Sequence, residues 1–189
     1  LDLELDINMQ DECIYGIAIY HLKWIKNSNK KVDLTKTNPS KFNGILSKMV
    51  GQSNDKVILD SKGLFIESVS GTAGLLTWHF GDSSDIFGKA FEIDAPKHDT
   101  IIQIHYRTLN KLETRRNKDF ISAIQWLNPS QTHDKKQPFM FSQSQAILAR
   151  TWLPCMDVPA VKFTYNAIVN FPSELNVVMS AQKFNDIGS

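Results

Sequence analysis

The chain opens on a strict alternation. Leu1, Leu3, Leu5 and Ile7 fall on one side of an extended backbone, and Asp2, Glu4, Asp6 and Asn8 on the other. A period of two marks a strand with one buried face, because successive strand side chains point to opposite faces. The polar stretch 9–12 predicts a turn, and the Ile- and Tyr-rich run from Ile14 to Ile25 a second strand, so Leu1–Ile25 reads as a hairpin. From Lys56 onward, short strand candidates come at Val57–Leu59, Leu64–Val69, Leu75–Phe80, Ala90–Ile93 and Thr100–Arg107. Val161 to Asn170 alternates again, with Val161, Phe163, Tyr165, Ala167 and Val169 on one face. Phe171-Pro172 ends that run, and Leu175–Met179 predicts one more strand. Short strands at this spacing, separated by Gly, Asp, Ser and Pro, predict an all-β fold, a β-sandwich or layered sheets, with at most a short helix or two.

Two stretches break the pattern. Residues 27–55 open on Asn27-Ser28-Asn29-Lys30-Lys31 and contain Pro39, Gly44 and Gly51. They predict a surface insertion holding one short helix, where Phe42, Ile45, Leu46 and Met49 recur at helical spacing. Leu109 to Phe120 is charged, contains Arg115-Arg116, and predicts an exposed loop. Ser70-Gly71-Thr72-Ala73-Gly74 predicts a hairpin turn.

A length of 189 residues fits a single domain, and a hydrophobic fraction of 42% excludes a wholly disordered chain. Lys+Arg 21 against Asp+Glu 20 leaves a net charge of +1, which supplies no general attraction to nucleic acid or anionic lipid. No apolar run approaches the roughly 20 residues of a membrane-spanning helix. The start at Leu1, without a signal-peptide pattern, predicts a trimmed N-terminus and leaves the compartment open between cytoplasm and periplasm. Cys13 and Cys155 are too few for a disulfide scaffold and predict free thiols rather than a bridge.

The chemistry that is missing narrows the function. There is no H-E-x-x-H, no phosphate-cradling glycine loop and no G-x-S-x-G elbow. None of His21, His79, His98, His105 and His133 has a second histidine three or four residues on, so the spacing predicts no metal site. His21 and His105 lie in strand patterns and read as structural. By composition and spacing the chain is a β domain without a self-contained active site, and an interaction module is one reading of it.

One segment changes the picture. It runs Gln125-Trp126-Leu127-Asn128-Pro129, through Pro138-Phe139-Met140-Phe141-Ser142-Gln143-Ser144-Gln145-Ala146, to Arg150 and Leu153-Pro154-Cys155-Met156-Asp157-Val158-Pro159. This resembles the end of the N-terminal domain of the zinc aminopeptidases of the aminopeptidase N and leukotriene A-4 hydrolase family, which has Q-W-L-x-P, then F-S-Q-x-Q-A, then R-x-x-x-P-C-x-D-x-P. The Q-W-L and S-Q-x-Q-A forms resemble the leukotriene A-4 hydrolase branch; the aminopeptidase N branch usually carries glutamate where Gln145 stands. The resemblance implies that 1–189 is one N-terminal β domain of a larger aminopeptidase, an all-β saddle of layered sheets, with 27–55 inserted and the catalytic domain absent. It implies no catalytic residue and no metal or cofactor here, since the zinc and its ligands belong to that later domain. It implies that Gln145, with Gln143 and Ala146 beside it, meets the N-terminal end of a peptide substrate along one wall of the cleft, and that the catalytic domain is the chain's partner. An amide can accept from an ammonium and donate to a peptide carbonyl, so glutamine suits that place. Arg150 and Asp157 are expected to bond each other or the backbone and so fix the loop that presents Gln145. Cys155 reads as a buried apolar residue, and Trp126 and Trp152 as core aromatics.

Overall fold

The structure is a computed structural model, and it describes residues 1–23, 56–96 and 99–183. The predicted insertion 27–55 with its helix, the end of the first hairpin at Trp24 and Ile25, and His98 lie outside the described residues.

The opening alternation becomes β1 (Asp2–Asn8), with Leu3, Leu5 and Ile7 buried and Glu4 and Asp6 exposed. It pairs antiparallel with β2 (Cys13–His21), in the register Leu3↔Ala18 and Leu5↔Gly16. Then come β3 (Lys56–Ser61), β4 (Phe65–Gly71), β5 (Gly74–Leu75), β6 (Trp78–Ser84), β7 (Gly88–Asp94) and β8 (Ile101–Arg107). The last third holds β9 (Ile124–Leu127), β10 (Phe139–Ser142) and β11 (Asn166–Asn170). The strands form a six-stranded sheet ordered β11-β1-β2-β8-β4-β5, a three-stranded sheet β3-β7-β6 and a two-stranded hairpin β10-β9. The all-β expectation holds.

One core joins these layers. Leu3, Leu5, Ile14, Ile102, Ile104 and Tyr106 enter it from the large sheet, Leu59, Phe91 and Ile93 from the three-stranded one, and Ile124 from the hairpin. Trp78 and Phe80 each set a ring 5.5 to 5.6 Å from a neighbouring ring of the Trp78–Phe80–Phe91 trio, in edge or tilted geometry that aromatic pairs favour. Trp126 and Trp152 pack against the core half-buried. Cys13 and Cys155 are buried free thiols. The turn after Ser70 is the predicted hairpin, with Gly71 opposite Gly74.

Four expectations need correction. The single strand Leu75–Phe80 is two, in different sheets: Leu76 N–H still bonds Val69 O at 2.9 Å, while Thr77 O already accepts from Asp94 of β7 at 2.9 Å. Hydrophobic pattern alone does not register such a crossing. The exposed loop 109–120 contains a helix, α1 (Lys111–Arg116), which is indeed unburied. An Asn110/Glu113 capping box supports it: Glu113 N–H donates to Asn110 Oδ1 at 3.0 Å and Asn110 N–H to Glu113 Oε2 at 2.9 Å. The run 161–170 is strand only from Asn166, because β11 lies parallel to β1 and its first partner is Asp2. Upstream, Val161 N–H is spent on a turn to Val158 O. Residues 175–179 keep their alternation, with Leu175, Val177 and Met179 half-buried, yet pair with no strand among the described residues. Leu175 N–H closes a turn onto Pro172 O instead.

Gly16 sets how closely β2 meets Tyr106. A Cβ there would fall under 3.0 Å from the ring and hydroxyl of that fully buried tyrosine. Gly16→Ala should therefore lower stability by about 1–3 kcal/mol through overpacking. Tyr106→Phe should be neutral or stabilising, since the buried hydroxyl has no hydrogen-bond partner among the described residues. Urea unfolding of the chain checks both.

Candidate functional site

The predicted site residues sit on one loop, 143–148, which comes directly after β10. β10 pairs with β9 in the register Phe139↔Leu127 and Phe141↔Gln125. Its alternation turns Met140 to the core and leaves Phe139 and Phe141 exposed, their rings stacked with centroids 6.0 Å apart. The strand direction then carries into the loop: Gln143 is exposed, Ser144 half-buried, and Gln145 and Ala146 exposed. The Gln145–Ala146 peptide bond is cis.

The loop is pinned at both ends to one residue. Gln143 N–H donates to Ala123 O at 2.8 Å. At the far end the buried Thr151 hydroxyl donates to Leu148 O at 2.7 Å and accepts from Ala123 N–H at 2.9 Å. Between them, Leu148 N–H bonds Ser144 O at 2.9 Å, and Trp152 Nε1 donates to Ser144 Oγ at 3.1 Å. The side-chain amides of Gln143 and Gln145 make no hydrogen bond to the described residues, so their donors and acceptors face outward.

Below the loop a short 3₁₀ turn, Ala149–Thr151, buries Arg150 to 3% exposure. Its Nε bonds Asp157 Oδ2 at 3.0 Å, Nη2 bonds Asp157 O at 2.8 Å, and Nη1 bonds Phe87 O at 2.7 Å and Asp60 Oδ1 at 3.3 Å. The backbone takes the same path, since Arg150 O accepts from Lys62 N–H at 2.9 Å and Asp60 N–H donates to Cys155 O at 2.8 Å. Asp60 Oδ2 accepts from Asp157 N–H at 2.8 Å. Arg150 and Asp157 thus bond each other, and Arg150 also ties in β3 and the β6–β7 turn. Burial pushes the Cys155 thiol up to about 12, and the neighbouring Asp157 and Asp60 add to the shift. A thiol so held is no nucleophile at neutral pH.

Loop 143–148 carries no histidine, carboxylate, thiol or amine. Among the described residues no three His, Cys, Asp or Glu side chains are grouped to hold a metal ion. His21 Nε2 lies 2.6 Å from Asp2 Oδ2, and His105 lies 2.8 Å from the Gln103 amide, so both contact strand neighbours. A groove of about 980 Å³ lies between Leu5 and Ile14 of the large sheet, Phe139 of the hairpin and Val177 of the extended C-terminal segment. Gln143, Gln145 and Ala146 are not part of its lining. The arrangement offers amides and backbone groups that can bind and orient a polar backbone. Sequence reasoning places Trp152 in the core and does not foresee its bond to Ser144, for which neither residue type nor spacing is a signal.

Residues 2–186 match the model of the peptidase M1 N-terminal domain. Leukotriene A-4 hydrolase of Xenopus laevis is 33% identical over 178 residues, covering 92% of this chain and 27% of that protein. Aminopeptidase B of Rattus norvegicus is 49% identical over 66 residues, 35% of this chain and 10% of that protein. The structure of native leukotriene A4 hydrolase from Saccharomyces cerevisiae is similar, with a TM-score of 0.66 and 25% identity, covering 89% of this chain and 22% of that one. The chain spans about a quarter of the length of the relatives it matches.

Arg150→Leu should cost about 3–5 kcal/mol, because it strands the Asp157 carboxylate, itself 10% exposed, without its cation. Urea unfolding measures this. The Cys155 thiol adds a pH dependence. In the unfolded chain it titrates near 9 and in the folded chain near about 12. Its stabilising contribution is full below pH 9 and is lost as the pH rises from there to about 12. Cys155→Ala should flatten that alkaline decline in the unfolding midpoint.

Proposed function

This chain belongs to the peptidase M1 N-terminal domain family, and from that premise we propose that it is the non-catalytic N-terminal domain of a zinc metalloaminopeptidase, one wall of its substrate cleft. The observation that carries the proposal is the pinned loop whose two exposed glutamines make no side-chain hydrogen bond to the described residues. Gln145 meets the N-terminal end of a peptide substrate. Its carbonyl accepts from the substrate ammonium and its NH2 donates to a peptide carbonyl, while Gln143 and Ala146 line the same subsite. A neutral amide brings no charge, so most of the attraction for the ammonium comes from acidic groups of the catalytic domain. Hydrolysis there uses a zinc-activated water, and this chain holds no ligand cluster for the metal among its described residues.

The same edge of the domain is the side that meets the catalytic domain. Phe139 and Phe141, exposed to 52% and 41%, stand on the strand that leads into the loop. Interfaces between domains bury roughly 600–1,500 Å², and stacked rings beside the cleft suit one. The competing reading, an interaction module with no hydrolytic partner, predicts no H-E-x-x-H downstream of Ser189 in the reading frame. Our reading requires one.

Gln145→Ala in the full-length protein should lower kcat/KM roughly 5- to 150-fold, the equivalent of about 1–3 kcal/mol for hydrogen bonds lost with partners left unpaired. The melting temperature of the domain should hold, because an exposed amide carries little packing. Full activity with a markedly lower melting temperature would make Gln145 structural and sink the assignment. Gln145→Glu should retain activity and tighten binding of the free amine. The chain alone should neither take up stoichiometric zinc nor turn over aminoacyl-anilide substrates.

A further inference from the structure

We propose that Ser144 and Trp152 form a positioning pair that turns Gln143 and Gln145 toward the substrate, an inference that rests on the cleft-wall reading above. Residues 143, 144 and 145 alternate exposed, half-buried and exposed. Ser144 is the one whose side chain is held to the body of the domain, and its anchoring fixes which way its two neighbours face. The hydroxyl accepts the indole N–H of Trp152 at 3.1 Å. An indole nitrogen only donates, so the direction of this bond is settled by chemistry. The indole itself packs against the core and is a firm post rather than a mobile one.

The other restraints act elsewhere. Gln143 N–H on Ala123 O and Thr151 Oγ1 on Leu148 O hold the two ends of the loop. The Leu148 N–H to Ser144 O bond holds the backbone carbonyl of residue 144. No side chain within 143–146 besides Ser144 makes a hydrogen bond to the described residues. Among the described residues, the side-chain bond that ties the middle of the loop, where Gln145 sits, to the body of the domain is therefore this one. Ser144 and Trp152 act through Gln143 and Gln145 and touch no substrate themselves.

The test is a mutational cycle in the full-length enzyme, read as kcat/KM on an aminoacyl-anilide with melting temperatures alongside. Ser144→Ala should lower kcat/KM roughly 3- to 10-fold, the worth of one neutral hydrogen bond. Trp152→Phe, which keeps an aromatic ring and removes the donor, should do the same. Ser144→Thr should restore activity because it keeps the hydroxyl. In a Gln143→Ala/Gln145→Ala background Ser144→Ala should cause no further loss, since residues that act through one another are not additive. A purely structural serine would instead subtract the same factor in both backgrounds, and that result overturns the proposal. So does unchanged kcat/KM in Ser144→Ala, a variant of a half-buried loop hydroxyl that decides the matter even if Trp152→Phe does not fold. Full activity of Gln145→Ala would overturn the cleft-wall reading and this inference together; loss at Gln145 with none at Ser144 overturns the positioning alone.

Discussion

A guanidinium taken almost wholly out of water holds the end of the domain together. Arg150 reaches Asp157, Asp60 and the carbonyl of Phe87, and these three belong to the loop before Pro159, to β3 and to the β6–β7 turn. Desolvating such a charge costs several kcal/mol, and mutual attraction offsets that only where geometry is good and the remaining protons are bonded. Here Nε and both terminal nitrogens find acceptors. Removing one partner would leave another buried and charged, so the cluster is cooperative by construction. Its consequence is mechanical. Thr151 and Trp152, the two residues that grip loop 143–148, are the next two along the chain from Arg150. The polar cluster below thus sets the loop above.

Spacing makes part of this cluster legible in the sequence. Arg150 and Asp157 flank a Pro-Cys turn, and an arginine and an aspartate so placed are expected to bond. Asp60, in a distant strand, is not foreseeable as their third member, because long-range partners leave no local signal. The strands behave alike. β1 emerges from alternation, which reports which side of a strand is buried, and β2, β7 and β8 emerge as short apolar runs between breaker residues. Alternation does not report whether a strand has a neighbour. Leu175, Val177 and Met179 alternate as a strand would, yet no strand among the described residues pairs with them. Residues 161–165 alternate too, yet the ladder with β1 begins only at Asn166. The short helix at Lys111 escapes pattern reading for the opposite reason: its signal is the Asn110/Glu113 capping box, and charge obscures it.

The candidate site is legible only through resemblance. Gln143 and Gln145 are ordinary amides by composition, and loop 143–148 contains no titratable group to mark them. That is consistent with a wall that orients substrate rather than one that transforms it. Perturbed ionisation marks groups that move protons. A positioning surface needs fixed geometry instead, and the fixed geometry is visible here as pins at Ala123, Thr151 and Trp152.

Placing such a loop on a β domain has a physical logic. A loop alone loses conformational entropy worth roughly 1–2 kcal/mol for each residue it orders. Much of that ordering is already present in 143–148, since strand, 3₁₀ turn and indole each hold part of it. Binding groups that are already in place lose less freedom on association, which is the advantage of preorganisation. Glutamine at 145 fits the same division of labour. In the proposed role, a glutamate there would add charge and strengthen the hold on a substrate ammonium in the ground state as well as in the transition state, and uniform binding lowers KM without raising kcat. On that proposal a neutral amide contributes direction and leaves the charge to the catalytic domain. The burden on the β domain is then geometric accuracy, and the Arg150 cluster, the Thr151 bridge and the Trp152 indole are where this chain supplies it.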